Sequence, residues 1–419
     1  MTKKIWAKFR SSLIGEAVRS LVPDLLVNLL FHFPLAFLAV LFYRYPSRHL
    51  KVIGVTGTDG KTTTANIIHH LLVMAGKKAA LVSTISAKIG RKEISTGFHI
   101  TSPHPWKLQR LLREIADKGY QFVVLEATSH GLDQHRLFGS NFNVGVITNV
   151  THEHLDYHQT YQRYLQAKAK LFRGVKLAIL NRDDDSFGYL KSRVSKLAKI
   201  VTYGIKNQAD FTPQTFKFKT LLPGEYNQYN CLAAMAAVSS LGVAAEKIRK
   251  GMVSFKGLAG RMEAIDEGQD FKVYVDFAHT PNALENVLAT LKQQKKGRLM
   301  VVFGSAGERD KEKRPKMGEI AAQLADSAIL TAEDPRTEEV NEIIDQISQG
   351  CQKAGGVEGK TFYRIPDRTK AIQFAIKKAE KGDMIVIGGK GHEKSLCFGR
   401  TEYPWSDQEV ARKALKKRK

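Results

Sequence analysis

The stretch from Val52 to Met74 constrains this chain more than any other. An apolar run, Val52-Ile53-Gly54-Val55-Thr56, empties into Gly57-Thr58-Asp59-Gly60-Lys61-Thr62-Thr63-Thr64, and Ala65 to Met74 continues with a helical pattern. A strand, a glycine loop and a helix in that order aim several backbone amides and a helix N-terminus at one point, an arrangement suited to phosphate. Lys61 is then in position to reach the β and γ phosphates of ATP, and the Thr62 hydroxyl to bind magnesium. Gly57, Thr58, Asp59, Gly60, Lys61, Thr62 and Thr63 form the candidate ATP loop. Its spacing, G-x-x-G-K-T, is shorter than the commoner phosphate-loop pattern.

Beyond the loop, β-rich runs alternate with helical stretches at Ala79 to Thr84, Phe122 to Ala127, Val144 to Asn149, Lys176 to Asn181 and Lys199 to Tyr203. Such alternation predicts a mostly parallel sheet with helices on both faces. A break at Gly257-Leu258-Ala259-Gly260-Arg261 precedes a second alternation through Tyr274, Val301 to Gly304, Ala328 to Thr331 and Met384 to Gly388. The expected fold is α/β: a central doubly wound phosphate-loop domain over residues 49–258 and a C-terminal Rossmann-like domain over 259–419. Hydrophobic helices over residues 1–48 precede them.

Within that first segment, Ile5, Trp6, Phe9, Leu13, Ala17 and Leu21 fall at helical spacing, with Lys3, Lys4, Lys8, Arg10, Glu16 and Arg19 on the other face. This is the pattern of a basic amphipathic helix. After Pro23, Leu25 to Tyr43 is apolar apart from Asn28, His32 and Pro34, and is barely long enough to span a bilayer. A single span with the ATP loop in the cytosol would put the basic residues outside, against the positive-inside tendency. The segment is therefore expected to cap the protein or to lie on the inner face of an anionic membrane.

Lysine and arginine number 65 against 41 acids, a formal +24, so the surface must meet something anionic. No nucleic-acid-binding motif accompanies the charge, and no specific nucleic acid is expected. Three separated cysteines without a C-x-x-C pair argue for a reducing, cytoplasmic setting.

Glu126 ends the strand from Phe122, at the sheet edge where doubly wound folds hold ligands, and a carboxylate there suits magnesium. Asn149-Val150-Thr151-His152-Glu153-His154-Leu155-Asp156-Tyr157-His158 is dense in histidines, and Ala167-Lys168-Ala169-Lys170-Leu171-Phe172 follows. The chain resembles the Mur ligase family in its G-T-D-G-K-T-T loop, in the H-E-H-L-D-Y-H segment and in A-K-x-x-L-F. The resemblance extends to Gly224 to Asn230, Gly260-Arg261-Met262-Glu263 and Asp276-Phe277-Ala278-His279-Thr280-Pro281. It implies ATP-dependent amide ligation through an acyl phosphate, with Mg²⁺. It further implies His154 and a carbamylated Lys168 at the metal with Thr62 and Glu126, Asn227 and Asn230 at adenine, Arg261 at phosphate and Asp276 at ribose.

Glu126-Ala127-Thr128-Ser129-His130-Gly131-Leu132-Asp133-Gln134-His135-Arg136 is similar to the MurE branch of that family, the diamino-acid-adding type. By that match Thr101, Ser102, Thr128, Gln134 and Arg136 hold a muramoyl-L-Ala-D-Glu acceptor. Gly307-Glu308-Arg309-Asp310, Glu333-Asp334-Pro335-Arg336 and Gly389-Lys390-Gly391-His392-Glu393 resemble the elements that take the incoming amino acid. Arg309, Asp334, Arg336, Gly389 and Glu393 are the implied contacts. Asp334 stands where the branch has asparagine, which leaves meso-diaminopimelate and lysine both open. Residues 1–48 stand where the branch has its uridine-nucleotide domain, so a lipid-linked acceptor is a second possibility and a folylpolyglutamate synthase-like activity a third. A monomer is expected.

Overall fold

The computed structural model describes residues 24–95, 103–151 and 153–418. The amphipathic helix expected over residues 3–21 lies outside them, as do Thr101, Ser102 and His152. The first described element is a continuous helical segment in three pieces, Asp24–Val27, a π-helical turn Asn28–His32 and Phe33–Phe42. Pro34 explains the widened turn, because its ring and missing N–H are incompatible with an ordinary hydrogen bond to the preceding turn. Ala36, Ala39 and Val40 are buried along one side of this apolar helix, which packs on the helix Pro105–Asp117.

Eight strands form the first sheet: β1 Lys51–Thr56, β2 Ala79–Val82, β3 Ser86–Ile89, β4 Lys92–Ser95, β5 Phe122–Glu126, β6 Phe142–Ile147, β7 Leu177–Asn181 and β8 Lys199–Tyr203. Their order is β4-β3-β2-β5-β1-β6-β7-β8. All pairings are parallel except those of the β3–β4 edge, which run antiparallel. That edge was not legible in the sequence, because four-residue strands carrying Ser86, Lys88, Lys92 and Glu93 have no continuous apolar run. The central strands are buried on both faces, as their unbroken apolar runs require. One face packs on the phosphate-loop helix Lys61–Met74 and on the helix Glu225–Ser240, whose Ala233, Ala234, Ala236 and Ala237 allow the two helices to approach closely.

A second sheet contains β9 Glu263–Ala264, β10 Lys272–Val275, β11 Leu299–Phe303, β12 Ser327–Leu330, β13 Phe362–Arg364 and β14 Met384–Ile387, in the order β13-β12-β11-β14-β10-β9. Only β9 is antiparallel to its neighbour. A hairpin of β15 Ser395–Phe398 and β16 Thr401–Pro404 lies beside it. The carboxyl ends of both sheets contribute to one cleft of about 310 Å³, lined from the first half by Asp59, Asn149 and Asn230 and from the second by Arg261, Asp276 and Asn282.

Candidate active site

β1 carries the phosphate loop to the point where β5 and β6 flank it on opposite sides. Gly57 and Gly60 adopt φ of 148° and 79°. A side chain at Gly57 would place Cβ 1.8 Å from Thr148 Oγ1, and one at Gly60 would place it 2.1 Å from Asn230 Oδ1. These two positions need glycine for both conformation and space. The Thr58 hydroxyl accepts from the Thr151 amide at 2.9 Å and meets the Tyr164 hydroxyl at 3.0 Å, which pins the loop from below. Lys61 Nζ donates to the Thr58 carbonyl at 2.6 Å, and Thr63 lines the cleft.

Thr62 Oγ1 donates to both oxygens of Glu126, at 2.9 and 3.0 Å, and Arg261 Nη2 reaches the same hydroxyl at 3.4 Å. Arg261 Nε is buried without a hydrogen-bond partner among the described residues, and its guanidinium lies over the Phe277 ring. Lys168, on the helix Tyr161–Ala169, is only 1% exposed. Its Nζ donates to the Gly57 carbonyl at 2.5 Å and lies 4.3 Å from the centre of the Tyr164 ring. Burial, and then the Lys61 charge, pushes its pKa well below that of a free lysine.

His154 adopts a left-handed φ of 56° and lies 3.7 Å from Glu153. Glu153 also meets His279 of the second half at 3.4 Å. Burial alone would raise the Glu153 pKa, but His154 and His279 hold it well below the usual carboxylate range. Burial opposes the charged form of His279, yet Glu153 outweighs it and the net shift is upward. For His154 burial prevails and the pKa falls to about 4. The Glu153–His279 pair is an electrostatic bond across the cleft that sequence reasoning missed. Both residues stand inside quoted motifs, but only the fold brings them together.

Asn227 and Asn230 line the cleft with their amides already engaged. Asn230 Nδ2 donates to Asn227 Oδ1 at 3.1 Å and Asn227 Nδ2 to the Pro223 carbonyl at 2.7 Å, while Asn230 Oδ1 accepts from Thr64 at 3.2 Å. Asn230 thus buttresses the phosphate-loop helix. Asp276 accepts from the Met262 and Ala278 amides at 2.7 and 2.8 Å, and burial raises its pKa. Asp59 is held from across the cleft, where Asn282 Nδ2 donates to its carboxylate at 2.6 Å.

Thr128 caps the short helix Ser129–Asp133, accepting from the Gly131 amide at 3.0 Å. Gln134 Oε1 is buried without a partner among the described residues. Arg136 and Arg309, from opposite halves, both act electrostatically on His130, whose pKa burial and its cationic neighbours lower to about 4.

In the second half, Asp334 accepts from Lys390 Nζ at 2.8 Å and from the Cys397 amide at 2.9 Å, and Lys390 also pairs with Glu393. The extra acid at 334 is therefore neutralised by a buried lysine. Asp334 and Arg336 take φ of 43° and 53°, and Arg336 Nη1 donates to the Gly307 carbonyl at 2.8 Å. Gly389, at φ 103°, leaves room for Glu333: a Cβ there would lie 2.2 Å from Glu333 Oε2. Ser305 Oγ, Glu333 Oε2 and His392 Nδ1 are buried without partners among the described residues. They follow the carboxyl ends of the adjacent strands β11, β12 and β14. Burial pushes the Glu333 carboxyl up to about 7, against the pull of Lys313 and His279.

A model of the Mur ligase middle domain matches residues 55–238, and one of the Mur ligase glutamate ligase domain matches residues 260–391. The chain belongs to the Mur ligase family. It is 39% identical over 412 residues to the UDP-N-acetylmuramoyl-L-alanyl-D-glutamate--2,6-diaminopimelate ligase of Geobacillus thermodenitrificans, covering 92% of this chain and 83% of that relative. The ligase of the same name from Thermosynechococcus vestitus is 40% identical, with 96% and 83% covered. A solved structure of a UDP-N-acetylmuramoyl-L-alanyl-D-glutamate--2,6-diaminopimelate ligase aligns with a TM-score of 0.60 at 33% identity, over 88% of this chain and 79% of that one. A bifunctional folylpolyglutamate synthase/dihydrofolate synthase aligns with a TM-score of 0.67 at 19% identity, over 85% and 90%, a likeness of fold alone.

Proposed function

We propose that this Mur ligase joins a diamino acid, meso-diaminopimelate, to the D-glutamyl carboxylate of a muramoyl-L-Ala-D-Glu precursor at the expense of ATP. The observation that carries the reading is the sharing of one cleft. The phosphate loop with Asn227 and Asn230 lines one side and Arg261, Asp276 and Asn282 line the other, while Glu126 is bonded to Thr62 and Lys168 to the Gly57 carbonyl at the base of that loop. We divide the chain at residues 48 and 258, so that each side of the cleft belongs to one domain, and take the working unit to be a cytoplasmic monomer.

Backbone amides of Gly57 to Thr63 cradle the triphosphate, and Lys61 swings from the Thr58 carbonyl to the γ phosphate. Asn227 and Asn230 flank adenine, Asp276 the ribose and Arg261 the phosphates. Thr101, Ser102, Thr128, Gln134 and Arg136 hold the acceptor. Arg136 orients its carboxylate for in-line attack, giving an acyl phosphate and ADP. The diamino acid then attacks the acyl carbon and expels phosphate. Arg309 and Arg336 bind the carboxylates of the incoming molecule, Glu393 its distal ammonium, and Asp334 and Gly389 shape the pocket. The attacking ammonium must first lose a proton, and Glu333, just beyond the carboxyl end of β12, has a carboxyl raised near neutral that suits it as the acceptor.

Among the described residues no three His, Cys, Asp or Glu side chains cluster as a metal cage. The donors fit Mg²⁺ of the kind that one or two carboxylates hold together with substrate phosphates and water. Thr62, Glu126, His154 and the carbamate of Lys168 would hold it, and it would supply charge neutralisation at the transferring phosphoryl group. The buried Lys168 amine, shifted toward its neutral form, has the nucleophilic state that captures CO2: the N–C bond forms, one proton leaves and a carboxylate remains. Phosphate release measured with each amino acid and acceptor tests the reading. It should require both the muramoyl dipeptide and diaminopimelate, exceed that with lysine or a folate, and vanish in Lys61→Ala. Release driven by glutamate and folate would overturn it.

A further inference from the structure

The apolar helix Asp24–Phe42 turns an unbroken hydrophobic stripe outward. Leu29, Leu30, Leu38, Leu41 and Phe42 are 55%, 71%, 55%, 48% and 67% exposed, and no charged residue occurs from Leu25 to Tyr43. Scattered exposed leucines need no explanation, but a contiguous stripe of this kind marks an interaction surface. The opposite side is fixed to the protein. Val40 would meet any Cβ at Gly139, Phe33 packs edge-on against His135 and Phe138, and Asn28 Nδ2 donates to Asp133 at 3.1 Å. A helix held along its length cannot cross a bilayer, and no described helix is long and apolar enough to do so.

The C-terminal end of the stripe has a different chemistry. Phe42, Tyr43 and Trp106 form an aromatic cluster with ring centres 5.0 to 6.1 Å apart, and Arg48 lies 4.4 Å from the Tyr45 ring centre. Arg44, Arg48 and Arg110 are exposed around them. Tryptophan, tyrosine and arginine beside an apolar face are the composition of a membrane interface, with the rings at headgroup level and the cations on anionic lipid. A second copy of the chain is a poorer occupant, since it would bring the same arginines together on molecules already carrying +24.

We infer that the helix Asp24–Phe42 docks the enzyme flat on an anionic lipid bilayer, with the stripe in the acyl boundary and Arg44, Arg48 and Arg110 at the headgroups. The consequence for substrate rests on the ligase reading above. Asn28 and Phe33 contact Asp133 and His135, the immediate neighbours of Gln134 and Arg136. Docking therefore sets the proposed acceptor site beside the bilayer, within reach of a muramoyl peptide carried on lipid.

Full-length protein sedimented with phosphatidylcholine vesicles, with and without phosphatidylglycerol, tests the docking. It should partition onto the anionic vesicles and be released by salt. Leu30→Glu with Leu38→Glu should abolish the partition at unchanged melting temperature and unchanged turnover of UDP-linked acceptor in solution. Arg44→Glu and Arg110→Glu should each weaken it by roughly fivefold or more. Wild-type protein that ignores anionic vesicles overturns the docking whatever its ligase activity, as does equal binding by the double leucine variant. Concentration-dependent self-association lost in that variant, without vesicle binding, assigns the stripe to a second copy. Binding that emerges only after removal of residues 1–23 assigns it to that segment. Vesicle binding by a protein that ligates no diamino acid sinks the ligase reading and leaves the docking intact.

Discussion

Lys168 illustrates how burial turns an ordinary residue into a reactive one. A solvated lysine is a cation, whereas one walled in beside Lys61 is pushed toward the free amine. Lys168→Ala should lose activity by about 100-fold or more and regain part of it with added short carboxylic acids. ¹³CO2 should give a carbamate resonance in the wild type that the variant lacks. Glu333 carries the opposite kind of shift. Its carboxyl stays protonated in the folded protein to about pH 7, while in the unfolded chain it ionises near 4.5. The native state then binds the extra proton, so stability falls as pH rises between those values. In ligand-free protein, Glu333→Gln should raise the melting temperature relative to wild type at pH 8 and have little effect at pH 4. An equal difference at both values would show that Glu333 does not titrate there.

Elements in this molecule are joined by a few buried charges whose value depends on complete pairing. Arg368, at the start of the helix Arg368–Lys378, and Asp407, at the start of the terminal helix Asp407–Arg418, are fully buried and make two hydrogen bonds of 2.8 and 2.7 Å. The same arginine donates to the carbonyls of Ala332 and Gly388, beside Glu333 and Gly389. Asp407→Asn leaves that guanidinium buried and uncompensated, so urea unfolding should register a loss of about 3–5 kcal/mol. The proposed diamino-acid pocket should loosen with it, raising the KM for that substrate more than the KM for ATP. A loss under about 1 kcal/mol would mean that water replaces the missing charge.

The two halves are tied across the cleft by Asp59 with Asn282 and by Glu153 with His279, so closure involves the phosphate loop itself. Asn282→Asp replaces a donor 2.6 Å from the Asp59 carboxylate with a like charge. The expected result is a more open molecule, seen as a larger radius of gyration in small-angle scattering, with ATP bound about tenfold or more weakly. Unchanged scattering would show that closure depends on the rest of the interface.

Local pattern determined much of this protein: the loop Gly57 to Thr63, the parallel strands with their continuous apolar runs, and the division into two α/β halves. Those features depend on backbone conformation and on alternation along the chain, which neighbouring residues impose. The charge at Asp334 could not be interpreted that way, because its neutralising Lys390 is 56 residues distant. Nor could Glu153 be matched to His279, Lys168 be told from a surface lysine, or Glu333 be seen to lack a partner. Each depends on distance and on exclusion of water, which exist only once strands far apart in sequence have brought their carboxyl ends together.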